Sequence, residues 1–283
     1  MNQWQVGDVR ITRIVELEAV GGSRFILPDA TPQACLEIDW LAPHFMNEAG
    51  ELRMSVHALV IDTGARRILV DTCIGNDKQR SIPAWSNLQT RFLDDLEAAG
   101  YPLDSIDTVL CTHLHVDHVG WNTRLVDGVW VPTFPDARYL IAKTEWQWWD
   151  ANEDETTYGP VLADSVRPVM DAGLVDLVDV DAVLCPQVRL QPTPGHTPGH
   201  VSVVVEDGGA RALITGDFMH HPCQMARPDW CSSADFDAQA ARATRDAMLA
   251  ELADGSTLVI GTHFATPTAG HVRRDGEVFR FEV

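Results

Sequence analysis

Apolar and β-branched residues come in short runs along this chain, separated by turns that carry glycine and proline. Residues 4–19 and 53–62 hold two such runs, Gly64 turns the chain, and Arg-Ile-Leu-Val-Asp at 67–71 reads as a buried strand. The first quarter therefore predicts a β-meander. Between its strands, 21–52 carries Phe25, Pro28, Trp40, Pro43 and Phe45. That stretch is too apolar for a solvated tail and too irregular for an element, so we read it as a loop that packs over something. Leu88, Phe92 and Leu96 give 86–99 helical spacing, with Gly100 as the stop.

Farther on, 106–111 and 138–142 read as strands, 158–172 as a helix, and 201–206 with 211–215 as paired strands around Asp207-Gly208-Gly209. A helix over 235–252, a strand over 257–260 and a terminal strand over 277–283 complete the pattern. No repeat or low-complexity linker divides the chain, so one domain over 1–283 is expected. Strand-rich halves with helices between them predict helices outside a sandwich of sheets, an α/β (α+β) fold.

Composition narrows the partners. Against 21 Lys and Arg stand 41 Asp and Glu, a formal charge of −20, which repels phosphate backbones and anionic headgroups. Nucleic acid and membrane are accordingly excluded as expected partners. No basic segment precedes an apolar one at the N-terminus, and no run reaches the roughly 18 apolar residues of a membrane helix, so a cytoplasmic location is expected. Six scattered cysteines without a CxxC pair fit reduced thiols. Cys223 and Cys231 are near enough in sequence for a bridge, which that compartment disfavours.

The strongest chemical signal is Thr112-His113-Leu114-His115-Val116-Asp117-His118, directly after an apolar strand. In extended backbone His113 and His115 point to one side and can meet one ion, while Asp117 and His118 follow a bend and can face another. Four ligands cannot complete two shells. Three more residues follow later strands: His196 in Thr-Pro-Gly-His-Thr-Pro-Gly-His, Asp217 in Leu-Ile-Thr-Gly-Asp, and His263 after Leu-Val-Ile-Gly-Thr. Taken singly, Asp217 is as well explained as a helix N-cap, and His196 or His263 as a core histidine. The ordered set is what argues for metal.

That set, HxHxDH, then TPGHTPGH, then TGD, then a late histidine, resembles the metallo-β-lactamase superfamily from about residue 55 onward. The resemblance implies a four-layer αββα sandwich. It implies that His113, His115 and His196 hold a first metal, that Asp117, His118 and His263 hold a second, and that Asp217 bridges them. Asp71 matches the aspartate that orients a ligand from behind, and His200 is expected to brace the turn of His196. Residues 21–52 are then expected to pack near the active site.

Imidazole and carboxylate ligands without thiolate favour two zinc ions, with manganese, cobalt or iron as other occupants. Such a pair supports a bridging hydroxide that attacks a carbonyl or phosphoryl centre, with Asp217 holding the pair and Asp117 relaying the proton. Among branches, Thr-Gly-Asp-Phe-Met-His at 215–220 and the tail from Thr262 resemble the methyl parathion hydrolase and acyl-homoserine-lactone lactonase neighbourhood. A lactone, ester or phosphotriester is the expected substrate, small, neutral and hydrophobic; a homodimer stays open. The lactonases' tyrosine near the metals finds no evident match among Tyr101, Tyr139 and Tyr158. A β-lactamase-like amide hydrolase and a non-hydrolytic redox or metal-binding protein of the same fold are the alternatives. By adjacency to the ligands, Trp121, Phe218, His220 and Phe264 are candidates for the substrate pocket. His57 and His271 are read as structural, and His44 and His221 carry no signal.

Overall fold

A computed structural model describes residues 2–152 and 158–283. The strand Val201–Asp207 buries Val203 and Val205 on one face and Val204 on the other, so both faces of that strand must be covered. Val203 and Val205 meet Ile11, Leu59 and Ile61 of a facing sheet, whereas Val204 meets Leu249 and Met248 of a helix. This two-sided burial, repeated along both sheets, makes four layers: helix, sheet, sheet, helix.

The first sheet runs β1 (Gln3–Val6), β2 (Val9–Val20), β3 (Arg53–Asp62), β4 (Arg67–Val70) and β5 (Thr108–Leu110). A separate hairpin of β6 (Thr123–Val126) and β7 (Val129–Pro132) follows in the chain, and β8 (Arg138–Ala142) and β9 (Val175–Val178) then extend the sheet beyond β5. The second sheet runs in chain order through β10 (Val183–Cys185), β11 (Val188–Pro192), β12 (Val201–Asp207), β13 (Ala210–Ile214), β14 (Leu258–Ile260), β15 (Ala269–Asp275) and β16 (Val278–Glu282). Most pairs are antiparallel, but β4, β5, β8 and β9 pair in parallel, as do β13 and β14. Parallel pairing sends the chain out of β4 and β5, and out of β13 and β14, in a common direction, so the segments that follow these strands emerge together.

Helix α1 (Phe92–Ala98) buries Phe92 and Leu96 against the outer face of the first sheet. It is shorter than its sequence spacing predicts, because Asn87 takes a positive φ of 53° and the chain before Phe92 is held by turns. Helix α2 (Lys143–Ala151) has no counterpart in the pattern analysis. Helix α3 (Ala238–Leu252) covers the second sheet, capped by the Asp237 carboxylate on Gln239 N and Ala240 N at 3.0 Å, an arrangement that stabilises a helix by about 1 kcal/mol. The expected helix over 158–172 is present as a π-helical turn, Leu162–Val166, followed by Arg167–Asp171.

Residues 21–52 form short helical turns and one bridge. Leu27, Leu41 and Phe45 enter the core beside Phe218 and Phe264, while Gly21, Gly22, Ser23, Phe25 and Ile26 line a cavity described below. A buried cluster pins the loop after β4. Arg80 pairs with Asp164 of the π-helical turn at 2.6 and 2.9 Å, and Lys78 lies 3.7 Å above the Trp130 ring. Burial holds the Lys78 amine down to about 7, with Asp164 opposing it. All six cysteines are free, Cys223 and Cys231 included. Among the described residues no helix is long and apolar enough to cross a membrane.

Candidate metal centre

The carboxyl ends of the parallel strands deliver the polar residues. β4 leads into Asp71, β5 into 112–118, β13 into Asp217 and β14 into His263. The two sheets are joined at this rim by a bond from Ser55 N to His263 O and a bridge between Met54 and Phe264. After Pro192 a tight turn carries His196 and returns into β12, and Val201 N bonds Thr112 O at its base.

All seven residues singled out for metal converge. His115 Nδ1 lies 3.1 Å from His113 Nε2 and 2.8 Å from His196 Nε2. Beside this triad, His118 Nε2 lies 3.3 Å from His263 Nε2, and Asp117 stands 3.7 Å from each of them. Asp217 sits between the two groups. Its Oδ2 is 3.9, 3.4 and 3.5 Å from His113, His118 and His196, and its Oδ1 is 3.2 Å from His263. Ligand atoms of each triad fall within 4.8 Å of one another.

Burial holds the His113, His115 and His196 rings well below the ordinary imidazole value, so they are neutral and offer lone pairs to a common point. Burial acts against ionisation of Asp217 too, but His263 and His118 overcome it and hold the carboxyl well below its usual range. Within the protein its Oδ1 has no hydrogen bond. Converging neutral imidazoles around an ionised carboxylate with an unsatisfied buried oxygen are the donor set a divalent cation needs, so the residues fit a two-metal centre.

The imidazoles are oriented from behind. Asp71, at a positive φ of 57°, accepts Thr112 N at 2.8 Å on Oδ1 and faces His118 Nδ1 at 3.0 Å with Oδ2. His263 Nδ1 lies 3.0 Å from Ser55 O, and His196 Nδ1 lies 2.8 Å from Asp235 Oδ1. In each pair a proton on Nδ1 leaves Nε2 free to ligate. His200 accepts Asp217 N at 2.7 Å on Nε2 and faces Thr193 O at 2.9 Å, joining the turn of His196 to the backbone of Asp217. Gly216 permits that contact, because a Cβ there would stand 2.6 Å from His200 Nε2 and its φ is 56°.

A cavity of about 420 Å³ opens on the cluster. Three of the four proposed pocket residues are elsewhere. Trp121 stacks on Phe92 at 5.8 Å and donates to Glu16, and Phe218 and Phe264 lie in the core behind the second sheet. Neighbouring residues point apart, so adjacency to a ligand directs a side chain away from the site as readily as into it. His220 does line the cavity, buried, 3.2 Å from Asp217 Oδ2 and with no hydrogen bond on either ring nitrogen. Tyr158 lines it too, its ring 6.3 Å from that of His115. It therefore supplies a tyrosine beside the cluster where the sequence shows no evident match. Its position in the chain, forty residues past His118, gives no hint of this. Among the other histidines, His57 is buried beside Ser55, His221 faces Phe45 O and His271 faces Thr257 O.

Comparison with known proteins agrees with this architecture. The chain is 24% identical over 180 residues to N-acyl homoserine lactonase AiiA of Bacillus thuringiensis subsp. kurstaki, which covers 59% of this chain and 64% of that protein. It is 29% identical over 167 residues to the probable metallo-hydrolase YybB of Bacillus subtilis (strain 168), covering 59% and 63%. The matches thus span less than two thirds of those relatives. Among solved structures, the hydrolase AbOPH of the beta lactamase superfamily superposes with a TM-score of 0.79 at 24% identity, over 99% of this chain and 96% of that one. The dizinc quorum-quenching lactonase AidC superposes with 0.76 at 21%, over 99% and 95%. The sequence profile of the Metallo-beta-lactamase superfamily matches residues 53–263, and the chain belongs to that superfamily.

Proposed function

We propose that this protein is a dinuclear hydrolase that opens a neutral, apolar lactone or cleaves an ester or phosphotriester. One observation carries the substrate side of this reading: no lysine or arginine lines the cavity among the described residues, and its walls are mainly apolar, with Leu17, Ile26, Met54, Val56, Ile82 and Trp85 among them. Away from the proposed metal ligands, the lining offers an anionic substrate the acidic Glu18 and no lysine or arginine. A neutral molecule with an apolar arm buries surface there at no such cost. The lactones named for the relatives have this chemistry, as do aryl esters and phosphotriesters.

His113, His115 and His196 would hold one divalent cation, Asp117, His118 and His263 the other, and Asp217 both. When bound, the pair supplies a water acidified to near neutral pH and polarises the carbonyl or phosphoryl oxygen. The chain does the rest. Asp117, facing the cavity, accepts the proton and returns it to the leaving oxygen. Burial and Asp117 push the Tyr158 phenol up, so it keeps its proton as a hydrogen-bond donor toward substrate. The apolar walls exclude water and seat the arm.

Zinc-loaded protein assayed with an N-acyl homoserine lactone, an aryl ester, a phosphotriester and an aryl phosphate monoester tests this. At least one neutral substrate is expected to exceed the dianionic monoester by roughly 100-fold in kcat/KM. Turnover of none of the four substrates would overturn the assignment and favour the redox or metal-binding alternative, and preference for the monoester would overturn the neutral-substrate reading.

A further inference from the structure

Glu145 is fully buried in the first turn of α2, and nothing in the proposed chemistry uses it. Its carboxylate accepts four hydrogen bonds. Oε1 takes Leu114 N at 3.0 Å and Trp149 Nε1 at 2.8 Å, and Oε2 takes Thr197 Oγ1 at 2.7 Å and Gly199 N at 3.0 Å. Leu114 lies between His113 and His115, while Thr197 and Gly199 follow His196.

We infer that Glu145 is a positioning residue for the first metal triad, clamping the loop of His113 and His115 to the turn of His196. Those two segments come from different sheets, and their ligand atoms lie 2.8 Å apart between His115 and His196. The bond from Val201 N to Thr112 O joins the segments at their base, and Glu145 joins them beside the ligands themselves. Gly199 is the complementary feature. A Cβ there would fall 2.2 Å from Glu145 N, so only glycine lets the first turn of α2 approach this closely.

The chemistry requires a carboxylate. All four partners are donors, and an ionised acid offers acceptor sites only. Glutamine would place an amide NH2 against at least one of the two loops, leaving buried donors face to face and parting the segments. Outer-shell partners of metal ligands typically change metal affinity by about 10- to 100-fold when lost.

The inference rests on the dinuclear reading above, and its test separates the two. Metal-free protein would be titrated with zinc by calorimetry, and crystals grown at limiting zinc examined by anomalous scattering to show which triad fills. Glu145→Gln is expected to weaken the triad of His113, His115 and His196 by about 10- to 100-fold while the triad of Asp117, His118 and His263 stays within about 3-fold of wild type. Glu16→Gln is the control. Glu16 is also a buried carboxylate with four bonds, from Ile74 N, Gly75 N, Thr90 Oγ1 and Trp121 Nε1, but it touches neither loop of the first triad. It should lower the melting temperature and leave first-triad affinity unchanged. If Glu145→Gln does not fold, Glu145→Asp, which keeps the charge and loses the reach, is read the same way. Equal filling of the first triad in wild type and variant, or an equal loss at both triads, would overturn the inference alone. Wild-type protein that binds no zinc at this triad would overturn it together with the dinuclear reading.

Discussion

Asparagine in place of Asp217 is expected to lower kcat/KM by far more than the roughly 100-fold typical of a lost outer-shell partner, and to leave the protein with one tightly held metal or none. The reason is the division of labour between its two oxygens. Oδ2 faces His113, His118 and His196, and Oδ1 faces His263 across from them. Asparagine keeps one oxygen and turns the other into a donor, so one half of the centre gains an N–H where a cation would sit. The backbone bond from Asp217 N to His200 does not involve the side chain, so the fold should survive. Metal analysis of purified protein and steady-state rates are the measurements. Near-normal rates with two bound ions would remove Asp217 from the role given to it.

The second large effect is expected at Asp71, which touches no substrate. Its carboxylate accepts from Thr112 N and Thr112 Oγ1 and holds the proton of His118 on Nδ1, leaving Nε2 bare toward Asp117 and Asp217. In Asp71→Asn, an amide NH2 toward His118 favours the tautomer protonated on Nε2, which cannot ligate, and an NH2 toward Thr112 opposes the backbone N–H. Either arrangement costs the centre, and about 10- to 100-fold in metal affinity is expected from competition with a chelator. An unchanged affinity would mean that the orientation of His118 is fixed by something else.

What the sequence reveals depends on how local the signal is. The ligand segment 112–118 is legible because four ligand-type residues lie within six positions after a strand, and His196, Asp217 and His263 are legible only through their order and their place after strands. The sandwich follows from short apolar runs such as Val201–Asp207, whose length and composition demand cover on both faces. Glu145 and Asp235 leave no trace, because a single acid near the start of a helix reads as solvated, and only the fold brings the ligand loops against it. Adjacency to the ligands points Trp121, Phe218 and Phe264 to the pocket, yet they sit in the core, since adjacency in sequence does not fix direction. His220 escapes this because the turn Gly216–Phe218 rotates the chain before it, returning its ring to Asp217.

In the proposed centre seven side chains hold two cations joined by Asp217. Diffraction from zinc-loaded crystals, with anomalous differences measured on both sides of the zinc edge, tests it most directly. Two peaks are expected in each chain, one within the triad of His113, His115 and His196 and one within Asp117, His118 and His263, with an Asp217 oxygen at about 2.0–2.2 Å from each. A single peak, or two peaks with Asp217 turned away from either, would contradict it.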